Sequence, residues 1–161
     1  MQTASIAQLK KEIQDMPHQE LVETCVRLIK YKKENKELLT YLLFESGHEA
    51  SFIADMKSET TDLFAEINTN TMYWAKKSIR KILRIITKYC NYSGLATTRI
   101  EMLIHFCEQM NALNIDIHQS TAMANLYAAQ LKKIDKYILT LHEDLQYDYV
   151  ERMKELRITN Y

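Results

Sequence analysis

In 161 residues the chain carries two glycines, Gly47 and Gly94, and one proline, Pro17. Gly-rich loops and the tightest hairpin turns depend on residues that accept positive φ, so a chain this poor in glycine is restricted to long regular segments joined by polar turns. No run of strict apolar and polar alternation is flanked by turn residues on both sides, and no strand is expected. The predicted class is all-α: an irregular antiparallel helical bundle of about six or seven helices, or alternatively a short α-α superhelical array. The length suits a single all-helical domain spanning 1–161.

Helical spacing places the elements. Ser5 can cap a first helix that runs to Met16 with Ile6, Leu9 and Ile13 on one stripe, and Pro17 fits the first turn of the next. Leu21, Cys25, Leu28, Leu38, Leu39, Leu42 and Leu43 keep register on both sides of a polar middle at 30–37. With neither Gly nor Pro in that middle, one continuous helix is favoured over two that meet near Glu34 and Asn35. Ser46, Gly47 and His48 predict a stop, Gly47 supplying the left-handed residue. A third helix carries Phe52, Ile53, Met56, Leu63, Phe64 and Ile67. Asn68 to Thr71 offer turn and cap chemistry for a fourth, which is expected to turn Trp74, Ile79, Ile82, Leu83, Ile86 and Cys90 inward and to end at 91–94. Thr98 and Glu101 have the capping-box spacing and predict a fifth helix from Arg99 to Leu113. Ile100, Leu103, Ile104, Phe106, Cys107 and Met110 cover so much of its circumference that it should be the central, most buried helix. Asn114 to Ser120 form a polar junction, and a final apolar register from Leu126 to Leu156 makes one long helix or two.

Charge is the one property that leans toward a partner. Bases and acids balance at 21 each, yet no acid lies between Glu66 and Glu101, a stretch that holds Lys76, Lys77, Arg80, Lys81, Arg84, Lys88 and Arg99. The remainder has fourteen bases against twenty-one acids, a net charge of −7, so the field is strongly dipolar. On a helix, Lys77, Arg80, Lys81, Arg84 and Lys88 recur at steps of three and four and form a cationic stripe. Three roles compete for it. It can be a solvated face neutralised by Glu59, Asp62 and Glu66 from the preceding helix. It can receive an acidic protein partner or a second copy of the chain. It can bind nucleic acid or another polyanion, with Tyr73 and Trp74 as stacking faces, in which case five phosphate contacts give a log affinity against log salt slope of about −4.5. The neutral total argues against a dedicated polyanion binder, and Trp74 reads first as a core anchor.

Catalytic signatures are scarce. Two glycines exclude a Gly-rich phosphate cradle and a nucleophile elbow. Glu45 and His48 have the Glu-x-x-His spacing of helical di-iron sites, without a second copy. Glu101, His105 and Glu108 share a face of the central helix and read as a buried histidine with one carboxylate rather than a metal site, so neither metal nor cofactor is expected. Cys25, Cys90 and Cys107, odd in number and each among apolar neighbours, read as reduced core thiols of a cytosolic protein. His18, His118 and His142 lie near predicted helix ends. Met1 to Ile13 lack the apolar run of a secretory signal. Leu38 to Phe44, the longest apolar stretch, falls well short of the roughly 18 residues of a membrane span, so no membrane association is expected.

The segment Pro17-His18-Gln19-Glu20-Leu21-Val22, with Lys32-Lys33-Glu34-Asn35-Lys36-Glu37-Leu38-Leu39-Thr40-Tyr41-Leu42-Leu43-Phe44, resembles a group of small, uncharacterised all-helical bacterial proteins. That resemblance implies a cytoplasmic helical protein and brings no activity, cofactor or catalytic residue. The functional expectation is a non-enzymatic helical interaction or scaffolding module that binds a protein partner or itself. Lys77, Arg80, Lys81, Arg84, Lys88 and Trp74 are the candidate binding residues. The alternatives are a polyanion or nucleic-acid binder using the same face and, with less support, a metal-dependent or other enzyme.

Overall fold

A computed structural model describes residues 2–113, 115 and 119–158. Among the described residues all regular structure is helical, in eight α-helices and one π-helical turn, and none of the helices is long and apolar enough to cross a membrane. The chain divides into two compact units, Met1–Phe44 and Glu45–Tyr161.

The first unit holds α1 (Ile6–Asp15), α2 (His18–Tyr31) and α3 (Lys33–Thr40), after which a π-helical turn covers Tyr41–Glu45. Ser5 caps α1 as expected: its hydroxyl accepts from the Gln8 amide at 3.3 Å while the Gln8 side chain accepts from the Ser5 amide at 2.9 Å. The continuous helix expected across 30–37 is corrected. Lys32 is extended (φ −143°, ψ 145°) and separates α2 from α3. The Asn35 side-chain amide donates to the Leu28 carbonyl at 2.8 Å, satisfying one of the acceptors that the end of α2 leaves open. No residue of α1, α2 or α3 is buried.

The second unit contains the core. It comprises α4 (Glu49–Ala65), α5 (Met72–Ser93), α6 (Ala96–Ala112), α7 (Thr121–Ile138) and α8 (Glu143–Ile158). α6 lies at its centre, with neighbours α4, α5, α7 and α8. Ile100, Met102, Leu103, Ile104, Phe106, Cys107 and Met110 are all buried, so this helix is apolar around most of its circumference, as the sequence predicts. Its start differs from the expected capping box. α6 begins at Ala96, and Thr98 is buried and donates to Glu49 at the start of α4 instead of capping. Ser93 donates to the same carboxylate at 2.5 Å.

α5 is capped by Thr71, whose hydroxyl accepts from the Trp74 amide at 3.4 Å. It closes on Gly94, whose φ of 71° is the left-handed conformation that ends helices without a Cβ penalty. Gly47 does not adopt positive φ, so the expected left-handed stop at that position is corrected. The last apolar register is two helices, α7 and α8, with a break at 139–142. The predicted junction from Asn114 to Ser120 falls largely outside the described residues, as does His118.

Candidate functional site

Apolar register decides how α5 is oriented. Ala75, Ile79, Ile82, Ile86 and Cys90 are buried, and at 3.6 residues per turn they define one line along the helix. Lys77, Lys81, Arg84 and Lys88 fall roughly half a turn away, so the cationic stripe lies opposite the core. Trp74 does not turn inward, which corrects the core-anchor expectation. It is 48% exposed, because the line through Ile79, Ile82 and Ile86 reaches Ala75 and leaves position 74 about 100° round toward the cations. Its ring packs edge-on against Tyr73, itself 68% exposed, at 5.2 Å between centroids. The Lys77 ammonium sits 5.3 Å from the centre of the Trp74 ring.

Among the described residues, five cations of this face have no counter-ion. Among the described residues no carboxylate comes within 4.0 Å of Lys76, Lys77, Arg80, Lys81 or Arg84. Glu59 on the neighbouring helix accepts from the Tyr89 hydroxyl at 3.0 and 3.1 Å, while Asp62 and Glu66 are exposed. Tyr73, Lys76, Lys77, Arg80 and Arg84 line an open hollow of about 240 Å³.

Tyr73, named in the sequence as a stacking face, and Lys76, named among the cations of the acid-free stretch, thereby join the candidate binding residues. Their signal was present in the spacing, since Tyr73, Lys77, Arg80 and Arg84 follow one another at four, three and four. The stripe ends differently at its other pole. The Lys88 ammonium lies over the rings of Tyr89 and Tyr92, at 4.9 and 5.9 Å. Arg99 leaves the face altogether: it donates to the Asn91 side chain at 2.9 Å and stacks on Tyr137.

The Glu101, His105 and Glu108 cluster is not brought together as a site. Glu101 accepts from Lys57 of α4 at 2.7 Å and from Arg152 of α8 at 2.5 Å, so its carboxylate ties three helices. His105 is within 3.2 Å of the Thr61 hydroxyl. Glu108 lines a separate surface hollow with Asn111, Arg152, Glu155 and Leu156. Among the described residues no group of three His, Cys, Asp or Glu is placed to hold a metal, Glu45 and His48 included. Cys90 and Cys107 are buried, and burial raises their thiols to about 11 and about 12, while Cys25 is only half-buried.

Burial alone would raise the Glu101 carboxyl; the hydrogen bonds and charges of Arg152 and Lys57 outweigh it and bring it from 4.5 down to about 2. Burial, and then the Lys57 charge, hold His105 below its ordinary value. Glu101→Gln, which leaves both cations half-compensated, is expected to cost about 2 kcal/mol at pH 7, between the values for exposed and buried pairs. Since the folded carboxyl titrates below its unfolded value, this contribution is present above about pH 4.5 and lost as pH falls toward 2. Urea unfolding of both proteins should show the gap undiminished at pH 6, narrowed at pH 3 and closed near pH 2.

No family model, no curated protein and no solved structure matches the chain. The meaning of this face therefore rests on its own geometry.

Proposed function

We propose that the chain is a non-enzymatic helical interaction module, built as an irregular antiparallel bundle, that docks the acidic surface of a protein partner along α5. The observation that carries this reading is the row Lys77, Arg80, Lys81 and Arg84 on the side of α5 away from the core, with Lys76 half-buried at its edge, none of the five having a carboxylate within 4.0 Å among the described residues. Like charges three and four apart oppose helix formation by about 0.2–0.5 kcal/mol per pair. A folded chain that leaves such a row unrelieved gains from any partner that supplies the acids. From Lys76 to Arg84 the helix rises about 12 Å, roughly two turns of a partner helix with acids at matching intervals. The benefit is expected chiefly in steering and orientation. Free thiols buried at Cys90 and Cys107 suit a cytoplasmic setting.

A second reading, single-stranded nucleic acid, is favoured by one specific feature. Tyr73 and Trp74 are 68% and 48% exposed at one end of the row, where bases could stack while the cations follow the backbone. The chain has a single tryptophan, so fluorescence reports on this face alone. Trp74 emission should change when a helical peptide with glutamates four apart is added, and should change less, at higher concentration, with a single-stranded oligonucleotide. The reverse order supports the second reading. No response to either ligand rules out both.

A further inference from the structure

A crevice of about 70 Å³ lies between α5, α6 and α7, apart from the hollow beside Tyr73. Each helix lines it with residues three or four apart, which share a side: Thr87 and Cys90 from α5, Arg99 and Leu103 from α6, Lys133 and Tyr137 from α7. Cys90 and Leu103 are buried and make an apolar floor. The Cys90 thiol, raised by burial to about 11, stays neutral there. The two charged residues of the lining, Arg99 and Lys133, are both positive. A space of this size has room for about five water-sized atoms.

Both cations are held in place by groups that carry no negative charge. Arg99 is half-buried, and its guanidinium lies 5.1 Å from the centre of the Tyr137 ring. One terminal nitrogen, Nη2, donates to the Cys90 carbonyl at 3.4 Å and to the Asn91 side chain at 2.9 Å. Its Nε and Nη1 have no hydrogen-bond partner among the described residues. The Lys133 ammonium donates at 3.3 Å to the side chain of buried Gln130, which is itself fixed on the Leu126 carbonyl at 2.9 Å. Among the described residues no carboxylate comes within 4.0 Å of Arg99 or Lys133. The acids of the neighbourhood are engaged elsewhere: Asp135 pairs with Arg157, and Glu49, whose charge reaches Cys90, accepts from the Ser93 and Thr98 hydroxyls. Withdrawing a guanidinium from water without a counter-charge is costly, and an anion in the crevice relieves it.

We infer that this crevice binds one phosphate group, either free or as the phosphoryl end of a larger molecule. A carboxylate has a single negative charge and leaves one of the two cations uncompensated. A phosphate carries about −1.5 to −2 near neutral pH and offers at least three acceptor oxygens, which Arg99 and Lys133 engage from α6 and α7. The Thr87 hydroxyl already donates to the Leu83 carbonyl at 2.7 Å, so the two cations carry the recognition. The site is independent of the docking reading, since neither Arg99 nor Lys133 belongs to the row from Lys76 to Arg84.

Calorimetric titration of the full chain with inorganic phosphate, in a neutral buffer of low ionic strength, tests it. Wild type should bind at one site with a dissociation constant of about 1 mM or tighter, and phosphate should raise its thermal midpoint. Lys133→Gln and Arg99→Gln should each weaken phosphate binding at least tenfold. Lys133 is exposed, so its replacement keeps the test open if loss of the Arg99 stack disturbs the fold. Acetate should bind wild type at least tenfold more weakly than phosphate. Glycerol phosphate separates the two sources: affinity equal to or above that of phosphate points to a larger phosphorylated molecule, and lower affinity to the free ion. Replacing Lys77, Arg80 and Arg84 by glutamate should leave the phosphate constant within about threefold, because those charges lie outside the crevice and are screened. The inference is overturned if phosphate neither binds nor stabilises at tenfold the expected constant, if acetate binds equally well, or if binding survives both Lys133→Gln and Arg99→Gln. Binding abolished by the glutamate replacements on α5 would place the anion on the docking row and overturn it as well.

Discussion

Replacing Lys77, Arg80 and Arg84 together by glutamate is expected to weaken binding of the acidic peptide about 100-fold while leaving the fold intact. Each reversal removes one favourable exposed pair and adds one unfavourable pair, six changes of about 0.5 kcal/mol, for a total of about 3 kcal/mol. The fold should be indifferent. All three side chains are exposed, none has a carboxylate partner to lose among the described residues, and surface changes of this kind usually stay within about 0.5 kcal/mol. Among the described residues the Arg84 guanidinium donates only to the Arg80 carbonyl, at 3.3 Å, a bond within the helix. A thermal midpoint within a few degrees of wild type, measured beside the lost affinity, separates docking from stability. Loss of the fold in this variant would mean that the stripe is structural after all.

Phe106→Ala is expected to have the largest effect on stability, about 3–5 kcal/mol. Phe106 is wholly buried at the middle of α6 and meets Phe64 of α4 edge-on, with ring centroids 5.6 Å apart. Because α6 is enclosed by four helices, the surroundings can collapse into the vacated space only in part, so the cavity term adds to the lost burial. For a chain of this size the thermal midpoint should fall on the order of 10 °C. Calorimetry checks it. A fall of only a degree or two would show that α6 is not the packing centre.

How much of this was written in the chain differs from element to element. α6 was legible because its apolar residues cover nearly every side, and a helix of that kind has to be surrounded. The cationic stripe was legible as spacing, since steps of three and four cannot leave one face. Trp74 was misread because size suggests burial, whereas direction is set by register, and the line through Ile79, Ile82 and Ile86 selects Ala75. Thr98 and Glu101 had the spacing of a local cap, but tertiary partners won: Glu49 took the hydroxyl, and Lys57 and Arg152 took the carboxylate. The turn at Lys32 had no compositional mark. Only Asn35 hinted at it, through a side chain able to take over a helix-end carbonyl. Contacts between residues 44 and 51 positions apart, such as Lys57 and Arg152 with Glu101, leave no trace in local pattern.

The central claim is that the α5 cations from Lys76 to Arg84 lack counter-ions among the described residues of their own fold and are completed by an acidic partner. Its most direct test is the dependence of acidic-peptide affinity on salt, followed by Trp74 emission in wild type and in the triple-glutamate variant. Screening lengths shrink from about 30 Å at 0.01 M to about 8 Å at 0.15 M. Wild-type affinity should therefore fall steeply across that range, and the variant should bind weakly at every salt concentration. Wild-type binding that ignores salt, or that survives the three reversals, would contradict the claim.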